Sequence, residues 1–370
     1  MSSASKKVIE ALLEQAGIGL GGRKPWDIQV HDDRLYDRIL REQNLGLGEA
    51  YVEGWWDCPR LDAFFHKVLS AGLDRELKRH LKLLFLALSS ALLNFQTRRG
   101  CREVAHRHYN LGNDLFTAFL DPYLQYSCAL FKETRELDVA QLRKLDLICR
   151  KLDLGEEDRV LDIGCGWGGL ARYMAEKYGC HVTGVNIARE QIHFSREFCA
   201  GLPIEIVETD YRDVRGTFDK IVSVGMFEHV GSKNYRTFTR LVHSRLAEDG
   251  VFLLHTIGCN VSRTGCDPWI TKYIFPNGML PSIAQISRAA EGLLVIEDIH
   301  NIGPHYDPTL MAWNERFHNN WDAIRGRYGE TFRRMWSYYL QSCAGAFRAR
   351  DIQVWQIVMT KTGRNQPPCR

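Results

Sequence analysis

Three glycines at alternate positions are the residues best placed to do chemistry. The run Asp162-Ile163-Gly164-Cys165-Gly166-Trp167-Gly168 follows the apolar pair Val160-Leu161 and opens onto a helical pattern. Glycines permit positive φ and let the backbone approach a ligand at a helix N-terminus. A dinucleotide site would read G-x-G-x-x-G, with an acid roughly 20 residues on at the end of the second strand. Here the spacing is G-x-G-x-G, an aspartate precedes the first glycine by two residues, and Asn186 follows the second strand. That arrangement fits a single adenosine with a charged methionine tail better than a pyrophosphate. The Asp162 carboxylate can meet the ammonium of the methionine moiety, through water or directly. The expected cofactor is therefore S-adenosylmethionine, and the expected chemistry is transfer of its sulfonium methyl. Two later loops agree: Glu208-Thr-Asp210-Tyr211 after the third strand can hold the adenine amino group, and Gly225-Met-Phe-Glu228-His229 follows the fourth.

Such a loop needs a sheet behind it. Short β-branched or apolar runs stand at 159–163, 181–185, 204–207, 220–224 and 251–255, with later ones at 293–297 and 352–359. Helical patterns over 169–178, 189–199 and 235–246 lie between the first five. Strand and helix in alternation imply a parallel sheet wrapped on both faces, with ligands at the carboxyl ends of the strands. Residues 1–75 read instead as a small, mainly helical unit, with apolar periodicity in VIEALLEQAG and RLYDRILREQ and a compact turn around Trp55 and Trp56. The tail GRNQPPCR reads as disordered.

Residues 76–105 form an apolar, basic connection. Its core, LKLLFLALSSALLNF over 81–95, is shorter than the ~20 residues a bilayer span needs and carries Lys82, two serines and Asn94. Arg98, Arg99 and Arg102 follow it. It reads as a core or linker helix, or as a helix lying on an anionic surface, and not as a membrane span.

The bulk numbers agree with a globular enzyme. Of 370 residues, 45% are hydrophobic and 25% charged, which excludes a disordered chain. The net charge of +3, from 48 basic against 45 acidic residues, argues against a general nucleic-acid binder. Eleven scattered cysteines form no C-x-x-C pair and no cluster with zinc spacing, so no metal is expected. The start MSSASKKVIEALLEQAG lacks the apolar core of a secretory signal, and free thiols in a reducing cytosol are the simplest expectation.

Several motifs in order resemble the cyclopropane-fatty-acyl-phospholipid synthase family. They are His108-Tyr-Asn-Leu-Gly-Asn-Asp-Leu-Phe, Leu120-Asp-Pro-Tyr-Leu-Gln-Tyr126-Ser127-Cys128-Ala, the glycine loop, Val224 to Gly231, Leu254-His255-Thr-Ile257-Gly258, Asp267 to Gly278 and Cys343-Ala-Gly-Ala-Phe-Arg. The likeness runs over nearly the whole chain. The N-terminal stretch Leu45-Gly-Leu-Gly-Glu-Ala-Tyr-Val-Glu-Gly-Trp-Trp resembles the branch that acts on bacterial phospholipids, whereas the related mycolic acid cyclopropane synthases lack such a domain. The implied architecture is a Rossmann-like class I S-adenosylmethionine-dependent methyltransferase domain over 106–370, α/β in class, preceded by the helical domain 1–75 and the linker 76–105.

The resemblance implies conversion of a cis double bond of a phospholipid acyl chain into a cyclopropane. An isolated alkene is a poor nucleophile, so the methyl must be delivered in a dry, aligned pocket. Attack leaves a carbocation that aromatic faces can stabilise; Tyr109, Phe116, Trp269, Tyr273, Phe275, Tyr306, Trp313 and Phe317 are candidates, most of them expected in the core. A base must then take a proton from the new methyl so that the ring can close. The resemblance implies a bound bicarbonate in that role, with Glu228, His255 and Tyr306 as its side-chain ligands and Cys128 and Ile257 giving backbone contacts. It implies cofactor contacts from Tyr126, Ser127, Gly164, Gly166, Asn186, Gln191, Asp210 and Tyr211, with Asn186 standing where some relatives have threonine. It also implies a homodimer, at the inner face of the cytoplasmic membrane. A catalytic cysteine is often assigned at Cys343, but direct methyl transfer to carbon needs no nucleophile, and an inert buried thiol is the chemical expectation. Two other readings stand beside this one: a methyltransferase for a small amine, hydroxyl or free fatty acid, and a non-catalytic lipid-surface protein. The intact glycine loop speaks against the second.

Overall fold

The computed structural model describes residues 2–73, 111–263 and 265–369. The basic apolar connection expected at 76–105, with Arg98 and Arg99, and the candidate Tyr109 lie outside the described residues. Two compact units emerge, and they do not follow a single cut along the chain. One gathers residues 2–73, 266–275 and 306–352, and the other 111–263, 265, 276–305 and 353–369.

The first unit is helical. Helices Ser2–Gln15, Arg34–Glu42, Asn44–Val52 and Leu61–Ser70 are joined by a minimal antiparallel ribbon of β1 (Gln29–Val30) and β2 (Trp56–Asp57). Leu61–Ser70 packs along the long helix Glu330–Arg348, which also receives Tyr306–Asn319. The two adjacent tryptophans divide their work: Trp56 is fully buried and donates from its indole to the Leu47 carbonyl at 3.0 Å, while Trp55 lies under the guanidinium groups of Arg34 and Arg38. Phe64, Tyr51, Tyr338 and Trp269 complete the aromatic centre. Arg348 ties the helices together, pairing with Asp307 at 2.8 Å and with the fully buried Asp62 at 2.7 Å. Burial alone would raise the Asp62 carboxyl, but Arg60 and Arg348 outweigh it and hold the group at about 2.

The second unit is built on seven strands: β3 (Arg159–Ile163), β4 (His181–Asn186), β5 (Ile204–Glu208), β6 (Phe218–Val224), β7 (Leu246–Cys259), β8 (Val295–Asn301) and β9 (Ile352–Thr360). Their order is β5-β4-β3-β6-β7-β9-β8. The first five are parallel, as their alternation with helices predicts, whereas β8 and β9 run antiparallel to each other. Alternate residues feed opposite cores. Leu161 and Ile163 join Phe227, Phe238 and Trp355 on one face, and Val160, Val182 and Val222 join Ile148 and Met174 on the other. Both faces are covered, so the strands read as nearly continuous apolar runs. Strand order reverses at β3, with β4 on one side and β6 on the other, which opens a crevice at their carboxyl ends. Among the described residues no helix is long and apolar enough to cross a membrane.

Candidate cofactor cleft and active site

The crevice is shaped by the loop that leaves β3. Gly164, Gly166 and Gly168 all take positive φ (85°, 56° and 82°), a conformation that L side chains rarely adopt. The N–H groups of Gly164 and Cys165 donate to the Val185 carbonyl at 2.9 and 3.2 Å, and the Ser223 hydroxyl donates to the Ile163 carbonyl at 3.1 Å. The loop is thereby clipped to the ends of β4 and β6. The helix Gly169–Tyr178 begins at once, and Gly169 lies so close to the Tyr123 carbonyl that a Cβ there would strike it. Gly166 faces open space.

All nine residues expected to touch the cofactor line one cleft: Tyr126, Ser127, Asp162, Gly164, Gly166, Asn186, Gln191, Asp210 and Tyr211. At the end of β4, Asn186 donates to the Gln191 carboxamide at 2.9 Å and accepts from the N–H groups of Ile187 and Ala188, which fixes its orientation. Tyr126 packs edge-on to Phe116, and Tyr211 edge-on to Phe238. Asp210 departs from the simple expectation: Arg212, two residues on in the same tight turn, donates to its carboxylate from Nε at 2.8 Å and from its terminal nitrogen at 2.5 Å. Gln125, Met226, His229 and Asn277 also line the cleft; each lies in a motif noted in the sequence, but none is among those expected to touch the cofactor.

Asp162 tests the fit of the cofactor. It is 2% exposed, its Oδ2 makes no hydrogen bond, and it lies at the wall of the cleft. Burial pushes its carboxyl up to about 7, opposed by the positive charge of Lys144. A buried carboxyl with an unsatisfied oxygen is unfavourable unless a cation meets it. The ammonium of a methionine tail is such a cation, so the residues present fit S-adenosylmethionine.

A second buried acid stands in the turn after β6. One Glu228 oxygen accepts from the Ile257 N–H at 2.7 Å, and the other makes no hydrogen bond. Burial pushes this carboxyl, too, up to about 7. His255 lies two residues before Ile257 on β7 and is register partner to Val224 on β6, so Glu228 and His255 are brought to the same strand ends. Burial and the charges of Lys144 and Lys151 hold the imidazole well below its usual value, hence neutral. Gln356 on β9 stands 3.4 Å from His255 Nδ1; donation from its amide assigns the ring proton to Nε2. Cys128 is buried, with its Sγ 3.3 Å from the Ala129 carbonyl. Ile257 donates its N–H to Glu228, which ties the end of β7 to the turn after β6.

Two expected residues fall in the helical unit. Tyr306 opens the helix Tyr306–Asn319, its ring against Phe347 at 4.5 Å and edge-on to Trp313. Cys343 is partly accessible yet densely surrounded, and that surrounding raises its thiol well above the ordinary value, which leaves little thiolate at neutral pH. Of the aromatic candidates, Phe116, Trp269, Trp313 and Phe317 are core side chains, while Tyr273 is exposed.

A β-sheet with this strand order, a glycine loop at its reversal and an acid awaiting an ammonium define a class I S-adenosylmethionine-dependent methyltransferase. Comparison narrows the class: residues 96–357 match the model of the mycolic acid cyclopropane synthetase family, and the chain belongs to that family. It is 52% identical over 359 residues to the cyclopropane-fatty-acyl-phospholipid synthase of Escherichia coli (strain K12), covering 97% of this chain and 94% of the relative. The structure of the cyclopropane synthase MmaA2 from Mycobacterium tuberculosis superposes with a TM-score of 0.66 at 30% identity, over 70% of this chain and 98% of that one. Mycolic acid cyclopropane synthase CmaA1, complexed with SAH and CTAB, gives 0.65 at 32% identity, again over 70% and 98%.

Proposed function

We propose that this methyltransferase carries the methyl carbon of S-adenosylmethionine to the cis double bond of an unsaturated acyl chain in a membrane phospholipid and closes it to a cyclopropane. The observation that carries the reading is Glu228: a buried acid near neutrality, one oxygen held and one unsatisfied, at the same strand ends of the cofactor-binding sheet as the neutral His255. The near-full-length likeness to a phospholipid-acting relative supports the substrate class. CTAB, found with SAH in the CmaA1 relative, joins a cationic head to a long alkyl tail, much as a carbocation sits on an acyl chain.

The balance of the reaction is simple. The alkene pair attacks the sulfonium methyl, the S–C bond breaks toward sulfur, and the acyl chain is left with a cation. Loss of a proton from the new methyl returns an electron pair that closes the ring. Bicarbonate would supply the acceptor for that proton. Glu228 in its protonated form and His255 through Nε2–H are donors suited to an anion, whereas an ionised Glu228 would repel one; its near-neutral carboxyl supports the assignment. Tyr306, and the backbone at Cys128 and Ile257, complete the proposed set on family likeness. Asp162 would hold the methionine ammonium, with Tyr126, Ser127, Gly164, Gly166, Asn186, Gln191, Asp210 and Tyr211 around the rest.

We further assign the enzyme to the cytoplasmic face of the membrane as a peripheral homodimer, two copies raising avidity for a lipid surface. The test is incubation with labelled S-adenosylmethionine and unsaturated phospholipid vesicles, followed by mass analysis of the acyl chains. Gain of one CH2 with loss of the olefin supports ring closure. A methyl-branched or still unsaturated product would make the protein a C-methyltransferase that stops short of the ring, and label in soluble acceptors alone would refute the lipid reading.

A further inference from the structure

Lys144 lies on the helix Leu137–Leu152 with none of its surface exposed, and the reaction above does not use it. Its ammonium donates to the Gln125 carboxamide oxygen and to Ser127 Oγ, the latter at 3.1 Å. Three residues earlier on the same helix, the Gln141 amide donates to the carbonyls of Gln125 and Ser127 at 3.2 and 3.0 Å. Asp121 holds the same segment from its other end, accepting from the N–H groups of Tyr123 and Gln125 at 2.9 and 2.8 Å. Gln125, Ser127 and Asp162 line the cofactor cleft, and Lys144 stands behind them. A buried ammonium is costly unless charge and hydrogen bonds compensate it. Burial lowers this ammonium to about 8, opposed by the charges of the Asp121 and Asp162 carboxyls, so Lys144 is charged at pH 7 and loses its charge above about 8.

We propose that Lys144 is a positioning residue for the methionine end of the cofactor: it braces residues 125–127 from behind and supplies the positive charge against which the Asp162 carboxylate is held for the cofactor's ammonium. The inference rests on the S-adenosylmethionine reading of the cleft. The other ionisable groups facing Lys144 are the thiols of Cys128 and Cys149 and the His255 imidazole; burial raises the Cys149 thiol and lowers the imidazole, so neither carries charge near neutrality. Around Asp162 the thiols of Cys165 and Cys199 are raised by burial, and His229 across the cleft is lowered by burial to about 4.

The experiment is calorimetric titration of the full chain with S-adenosylhomocysteine between pH 5.5 and 8.5, with melting curves to establish folding. The wild-type affinity is expected to rise about tenfold per pH unit up to a midpoint near 7, where the Asp162 carboxyl loses its proton. Lys144→Met is expected to move that midpoint up by about one pH unit and to weaken binding about tenfold at pH 7. Lys144→Gln retains a donor toward Ser127, so it should show the same midpoint shift with a smaller loss above it. In an Asp162→Asn background, Lys144→Met should weaken binding by less than about threefold, because the charge it served is gone. Asp121→Asn, which keeps the lysine and removes its competing partner, should move the midpoint down and keeps the idea testable if both lysine variants fail to fold. Midpoints unmoved in the folded variants, or equal losses in both backgrounds, would reduce Lys144 to core filling. Wild-type protein that binds no S-adenosylhomocysteine at any pH would instead overturn the cofactor reading itself.

Discussion

Asp162 and Glu228 share one unusual condition: each is buried, each has an oxygen without a hydrogen bond, and burial lifts each to about 7. Unfolded, the same groups titrate near 3.8 and 4.5, so as pH rises from about 4 the unfolded chain releases protons that the folded one retains. Stability therefore falls between about pH 4 and 7 and levels off above. For Glu228 the difference is worth roughly 3 kcal/mol at pH 8, at about 1.4 kcal/mol per unit. Glu228→Gln is accordingly expected to lose turnover, to bind S-adenosylhomocysteine with nearly native affinity, and to melt higher than the wild type at pH 8 but not at pH 4. A lower melting point at pH 8 would mean that the carboxylate is compensated by a partner. His255→Ala should likewise lose turnover and keep cofactor affinity; selective loss of binding would remove His255 from the reacting end of the site. Asp162 and the glycines were legible because their signal is local, a strand, a turn and a helix within ten residues. Lys144, Gln141 and Gln356 were not: on a helix or strand pattern each reads as an ordinary polar position, and only the fold turns it inward.

Among the elements, the parallel strands β3 to β7 stand where their apolar runs predict, with β6 opening at Phe218 and β7 at Leu246 beyond the shorter runs. The direction of β8 and β9 was not legible, because about fifty residues separate them and their pairing is set by packing rather than by periodicity. The loop from β3 depends on close backbone approach at Gly169. Gly169→Ala drives a methyl onto the Tyr123 carbonyl and displaces Gln125, which lines the cleft. The expected result is a loss of about 1–3 kcal/mol in stability together with weakened cofactor binding, read by melting and by calorimetry. In the helical unit, Arg348 joins Asp62 on one helix to Asp307 on another. Arg348→Met leaves Asp62 buried with only Arg60 beside it and should cost about 3 kcal/mol or more in chemical denaturation. The loss should shrink as pH falls below about 4 and the Asp62 carboxyl takes up its proton, since its depressed value contributes stability only above that range. Unchanged stability at pH 7 would show that the ion pair is neutral to the fold.

At the scale of the molecule, the charge pattern of residues 76–105 motivates a test independent of the structure. Neutralising Arg98 and Arg99 should weaken co-sedimentation with anionic phospholipid vesicles several-fold at low salt, and the difference should vanish at high ionic strength. Equal binding to neutral and anionic vesicles at low salt would exclude an electrostatic role for this stretch. Domain organisation was only partly readable, because residues 266–275 and 306–352 belong with the N-terminal helices in space while lying far from them in sequence. The helix Leu61–Ser70 finds its principal partner in Glu330–Arg348, so the amino-terminal segment is not a detachable module. Splitting the gene between codons 73 and 111 would yield two polypeptides that recognise each other. Made alone, the carboxyl-terminal piece would carry a bare greasy stripe and aggregate; made together, the halves should reconstitute one particle.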